Sequence, residues 1–462
     1  MRLFKYTILS IILLLASKNA FGQKVEQSIP EKTRILFLFD ASGSMLAPWE
    51  NTLRITAAKQ ILSDLVDSLK VNDKVELALR AYGHQSPAKD QNCKDTRLEI
   101  GFSKNNHDNI IKRLEYVYPK GNTPIAYSLL QSANDFPVDD SYRNIIIIIT
   151  DGIESCDGDP CAVSLELQKK DIFLKPFVIG LGMREQFAKE FECMGSYFNA
   201  KNINAFRTVL NGILAQSLNK TTASVELLDD KGNPTETNVN VSFINNFTGS
   251  SEFDFIHYRD RNGKPDTVEV DPVLTYNIHV NTIPPVVKKN VFLKGGTHNV
   301  IKIQSPQGSL KINQSNSTEY GNPVEALIRA SGKGEIINTQ LIHSSEKYLI
   351  GSYDIELLTL PRILIKNIKI EQGELREISI PAPGRVNLVY ASKGIGSLYE
   401  TDADGKQRWI KNIDPRGGQI SFGIQPGNYK FVFRSDKAMG SKYTQIKEFT
   451  VKSGTTANIR IY

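Results

Sequence analysis

Two uninterrupted apolar runs, Ile35 to Phe39 and Ile145 to Ile149, each give way within two positions to an aspartate, Asp40 or Asp151. Runs this short, bounded by small polar residues, predict strands buried on both faces. Around them apolar residues recur at helical spacing. Ile55, Ala58, Leu62, Leu65, Val66 and Leu69 predict an amphipathic helix over 52–70. Further helices are predicted over about 105–117, from 123 to about 136, from near Pro160, briefly around Cys193, and over 203–218. Strands are predicted at 74–82, at 96–100 as a short edge strand, at 172–180 and at 197–199. Strands alternating with helices predict an α/β doubly wound, Rossmann-like sheet.

From Thr221 onward the helical pattern gives way to short alternating strands between Gly, Pro, Asn and Asp turns. A weak repeat runs through this half. A strand centred on tyrosine recurs at Tyr276 (LTYNIHV), Tyr353 (GSYDIEL) and Tyr429 (GNYKFVF), about 77 residues apart. Each is followed by a strand, a Gly turn and a closing strand, and each unit opens on a strand, at 223–228, 309–312 and 385–390. A repeat of ~80 residues predicts three all-β sandwich modules, with the tyrosines packing their cores. The expected organisation is a leader over 1–22, a polar lead-in over 23–33, an α/β domain over 34–219, and modules over 220–304, 305–382 and 383–462.

Candidate chemistry gathers where the two apolar runs end. Asp40, Ser42 and Ser44 occupy alternate positions in DASGS, Thr123 opens a helix in GNTP, and Asp151 lies in TDG. Ligands of open α/β sheets sit at the carboxyl ends of the strands. Two carboxylates and three hydroxyls there are hard oxygen donors, suited to Mg²⁺ or Mn²⁺ (or Ca²⁺) and not to zinc or copper. Asp and Ser after a strand also cap helices, but five such residues in this order favour a metal site. DxSxS, then Thr before a helix, then strand-T-D-G resembles the von Willebrand factor type A (vWA) or integrin I-like domain with its metal-ion-dependent adhesion site. The resemblance implies that Ser42, Ser44 and Thr123 ligate the metal, with Asp40 and Asp151 acting directly or through waters. It also implies a protein ligand that presents an Asp or Glu. The third β module, with PGNY followed by xVxxG and a terminal strand, resembles the transthyretin-like or carboxypeptidase-regulatory-like modules of exported bacterial proteins.

The first 22 residues read as a secretory signal peptide, the alternative being an uncleaved N-terminal anchor. Arg2 and Lys5 precede an apolar stretch from Ile8 to Ala16, and Ala20-Phe21-Gly22 is a small-x-small cleavage site. The stretch is shorter than the ~20 residues needed to span a bilayer. With the leader removed, a net charge of +6 falls to about +3, too mild to argue for nucleic acid. Cys93, Cys156, Cys161 and Cys193 all lie in the first domain. An even count in an exported chain reads as two disulfides, three pairings being open, and the positions put at least one bridge beside the metal site. A sequence that closes on Tyr462 without an anchor or sorting tail points to a secreted, periplasmic or cell-surface protein with no membrane span.

HExxH, GxSxG, Walker and GxGxxG motifs are absent from the sequence. His84 reads as a solvated or capping histidine, and Trp49 as either a surface anchor or a buried side chain. The expected function is non-enzymatic protein binding or cell adhesion, in which a partner's carboxylate completes the shell of a bound Mg²⁺. The alternatives are an envelope-associated structural or glycan-binding protein using the β modules, and a metallohydrolase.

Overall fold

The computed structural model describes residues 29–183, 187–315, 323–414 and 418–461. The expected leader, residues 23–28 of the lead-in and Tyr462 lie outside them. The first domain is a six-stranded sheet of β1 (Lys32–Asp40), β2 (Val75–Tyr82), β3 (Thr96–Ser103), β4 (Tyr142–Thr150), β5 (Phe177–Leu181) and β6 (Ser196–Ala200), in the order β3-β2-β1-β4-β5-β6. All neighbours are parallel except the edge strand β3. Helices α1 (Arg54–Ser68), α2 (His107–Glu115), α3 (Ile125–Ser132), α4 (Pro160–Lys169), α5 (Ala188–Glu192) and α6 (Ile203–Leu218) complete the expected α/β architecture.

Central position explains the unbroken apolar runs. Ile35, Phe37 and Phe39 pack on one face of the sheet with α1, α2 and α6, while Leu36 and Leu38 pack on the other with α3 and α4. All five are fully buried, each contributing roughly 1.5–3 kcal/mol of hydrophobic stabilisation. The strand expected over 172–180 begins only at Phe177. Pro176 offers no N–H to a ladder, and Leu174 turns away to pack between the first domain and the β modules.

Among the described residues three sandwiches follow, each of seven strands. Those of the first run from Thr222–Leu228 to His298–Gln304, of the second from Gln307–Gln314 to Leu375–Ile380, and of the third from Gly384–Tyr390 to Thr456–Ile461. Every module pairs its fourth, first and seventh strands in one sheet and its third, second, fifth and sixth in the other. The first and seventh strands are parallel in all three. The chain therefore enters each module at one end and leaves at the other.

The repeated tyrosines occupy equivalent positions on the fifth strands, buried in three separate cores. Their hydroxyls donate back to the carbonyls of Asp271, Leu349 and Gln425, at 2.9, 2.7 and 2.6 Å. Each ring thus fills a core while its hydroxyl satisfies a backbone carbonyl four or five residues earlier.

Candidate functional site

Sheet order places the site. It reverses between β1 and β4, so the loops leaving these strands diverge and open a crevice. Asp40 ends β1 and is fully buried. Its Oδ1 accepts the backbone N–H of Ser42 at 2.7 Å, and its Oδ2 accepts the hydroxyl of Thr150, at the end of β4, at 2.7 Å. Ser42 and Ser44 share a hydrogen bond of 2.9 Å, and Ser44 donates to Asp151 Oδ1 at 2.7 Å. Arg54, at the start of α1, places its Nη1 2.7 Å from Asp151 Oδ2.

Thr123 comes from the third loop and lies before α3 rather than inside the helix expected from 123. Its N–H donates to Ser155 Oγ at 2.8 Å, and the N–H of Ser155 returns to its carbonyl at 3.2 Å. Thr123 Oγ1 and Ser44 Oγ face the same point, for a Cβ built on Gly152 would stand 3.8 Å from each. Asp40, Ser42, Ser44, Thr123 and Asp151 are therefore brought together by three loops.

Two glycines let those loops close. Gly83 has φ +69° and comes so near the neighbouring backbone that a Cβ would stand 2.4 Å from the carbonyl oxygen of Asn122 and 2.9 Å from Cα of Ser42. At Gly121 a Cβ would meet the carbonyl oxygen of Ser86 at 2.6 Å. Gly43 N–H then reaches Gly121 O at 2.9 Å.

The donor set has the chemistry of a hard-cation site. Among the described residues no three His, Cys, Asp or Glu side chains gather as a metal cluster; this set has two carboxylates, its other oxygens being hydroxyls. Burial, and after it the charge of Asp151, pushes the Asp40 carboxyl up to about 6 against the hydrogen bonds from Thr150 and Ser42. Two carboxylates held together in a dry crevice lack positive charge, which Arg54 supplies only in part. On that observation the residues fit a divalent ion.

Disulfides brace the rim. Cys93–Cys156 ties the β2–β3 loop to the segment after Asp151, and Cys161–Cys193 ties the start of α4 to the end of α5. Glu154 accepts the N–H groups of Ala126 and Cys156, joining the same rim to α3. His84 is buried and bonded to Glu99 at 2.7 Å, not solvated: Glu99 also binds Arg97 and Arg113, and the cluster pins the β2–β3 loop. Trp49 is buried against Phe206, which removes it as a surface anchor.

Arg54, Thr150, Glu154 and Ser155 were not marked by the sequence pattern. Thr150 shares the TDG motif with Asp151, a signal that was there to read; Arg54 carries none, because only the fold turns the first residue of α1 toward β4.

Residues 35–212 match the family model of the von Willebrand factor type A domain. The first domain is thus a vWA domain, followed by small β-sheet modules. Two uncharacterized Bacillus subtilis proteins are similar to it: YwmC is 28% identical over 194 residues, covering 40% of this chain and 85% of the relative, and YwmD is 27% identical over 184 residues, covering 38% and 81%. Among solved structures, a conserved hypothetical protein, BatB, of Bacteroides thetaiotaomicron aligns with 40% of this chain and 98% of its own, at 18% identity and a TM-score of 0.34. The pilus adhesin SpaC of Lactobacillus rhamnosus GG aligns with 93% of this chain and 87% of its own, at 10% identity and a TM-score of 0.33.

Proposed function

We propose that this is an exported, non-enzymatic binding protein whose vWA head captures an acidic residue of a protein partner through a divalent ion, Mg²⁺ foremost. Ser42, Ser44 and Thr123 would hold the ion, with Asp40 and Asp151 acting directly or through waters. The observation that carries this reading is the convergence of two carboxylates and three hydroxyls from three loops on one crevice, linked by the bond from Ser44 to Asp151. When bound, the ion supplies a positive centre with a position open to an external carboxylate, since Mg²⁺ is held by one or two carboxylates and keeps several waters.

The chain's own residues do the rest. Ser42 N–H and Thr150 hold Asp40 in one orientation, and Arg54 anchors Asp151 while adding positive potential toward an anionic ligand. No imidazole or lysine stands among the five as a base to activate water, which supports capture over hydrolysis. Two disulfides support an oxidising, extracytoplasmic setting. Among the described residues no helix is long and apolar enough to cross a membrane.

Water-proton relaxation of the Mn²⁺-loaded protein tests the open position. At least one exchanging water is expected, displaced by excess glutarate and missing together with the ion in Thr123→Ala. A bound ion with no exchanging water, or one indifferent to glutarate, would contradict the capture mechanism.

A further inference from the structure

The three modules are joined by one recurring device. In the first, the loop between fifth and sixth strands (residues 281–285) sends Ile283 against the core of the second module, and the Ile283 carbonyl accepts the N–H of Leu349 at 2.8 Å. In the second, the equivalent loop (358–362) sends Leu360 against the third module's core, and its carbonyl accepts the N–H of Gln425 at 2.7 Å. Both loops hold five residues, and both staple themselves by a threonine hydroxyl, Thr282 to Pro284 O and Thr359 to Pro361 O, each 2.6 Å. The vWA head does likewise with Leu174, which packs against the first module.

The third module's copy of this loop is different. It is lengthened to residues 436–444 and has no Thr-x-Pro staple. By topology it lies at the end away from the second module, since Gln425, at that junction, precedes the fifth strand and the loop follows it. It exposes Met439 at 94% and Tyr443 at 53%. Lys437 precedes them and Lys442 lies between them, 5.1 Å from the Tyr443 ring centre; the loop's one acid, exposed Asp436, bonds by its N–H to the carbonyl of exposed Lys393.

Charge follows the same division. Residues 383–462 hold thirteen Lys and Arg against six Asp and Glu, net +7, whereas residues 23–382 are net −4. The position that docks one unit to the next thus ends, in the third module, in apolar side chains set among lysines on the basic part of the chain. Lysines drawn to anionic headgroups, with a methionine and a tyrosine entering the interface, are the chemistry of a surface that rests on an anionic bilayer.

We propose that the 436–444 loop of the third module docks the protein on an anionic phospholipid surface, at the end of that module away from the second. The test is co-sedimentation of the full-length protein with phosphatidylcholine vesicles, with and without phosphatidylglycerol, in EDTA so that the head's ion plays no part. Binding is expected only to the phosphatidylglycerol vesicles and to fall with salt. Lys437→Gln and Lys442→Gln should each weaken it about fivefold. Met439→Ser with Tyr443→Ser should weaken it without changing the salt dependence, all four residues being exposed and their variants melting like the wild type. Binding to neither vesicle, equal binding to both, or unchanged binding by these variants overturns the proposal. So does an acidic protein captured by the loop without any vesicle binding. A head that binds no ion would leave this result untouched.

Discussion

Arg54 Nη1 stands 2.7 Å from Asp151 Oδ2, so a protein side chain already supplies positive charge at the carboxylate that ends the second buried run. The Asp151 side chain is fully buried and that of Arg54 is 21% exposed, so removing the guanidinium leaves a dry carboxylate without a cation. Arg54→Gln should therefore melt lower than the wild type in EDTA and gain more from Mg²⁺. Its Mg²⁺ affinity should rise about tenfold, on the order of 1.4 kcal/mol, because one repelling charge has gone. Paired calorimetry and thermal melting check both parts. Equal or weaker affinity would show that Arg54 assists the ion.

The raised Asp40 carboxyl gives the ion's effect a pH dependence. A carboxyl lifted to about 6 adds stability that is present below its unfolded value near 3.8 and lost as pH rises through about 6. The metal-free fold thus loses this contribution between about pH 4 and pH 7. Ion binding needs the ionised form and strengthens over the same window. The rise in melting temperature on adding Mg²⁺ should be small at pH 5 and large at pH 7.5. Taking the difference with and without ion cancels groups remote from the site, Glu99 among them. An increment that stays flat across this range contradicts the assignment of Asp40.

Arg143 binds the head to the first module. It donates to Asp271 Oδ1 at 2.7 Å and to the Ser217 carbonyl at 2.6 Å, with side chains of the pair only 9% and 7% exposed. Removing one partner of a buried pair strands the other, at a cost of about 3–5 kcal/mol. Arg143→Met should lower the melting transition of the head, and adding Asp271→Leu should recover part of the loss. If the double variant is as unstable as the sum of the singles, the pair is not the clamp.

The repeated tyrosines divide into ring and hydroxyl. Tyr353→Phe loses only the bond to the Leu349 carbonyl and should cost about 1 kcal/mol. Tyr353→Ala also empties the core position, at about 3–5 kcal/mol. Urea unfolding of both variants separates the terms, and equal losses would mean that the hydroxyl carries the whole effect.

Much of this was legible in the chain. Asp40 and Asp151 were readable because strands buried on both faces leave unbroken apolar runs, and the residue where a run stops marks the strand's carboxyl end. The tyrosines were readable because a repeat compares the chain with itself. Burial by distant segments was not: Trp49 is covered by Phe206 and His84 by Glu99, contacts that leave no local pattern. Pro176 was the missed warning that the strand over 172–180 starts late. Ile283 and Leu360 gave no sign of docking, because an apolar residue before proline in a turn looks the same whether or not another module covers it.

Calorimetric titration of Mg²⁺ into the full-length protein, wild type beside Asp40→Ala, tests whether the five converging residues hold an ion. Saturable one-site binding is expected in the wild type and none in the variant, with both melting cooperatively in EDTA. Wild-type protein that takes up no ion, or a variant that binds as well as the wild type, would contradict it.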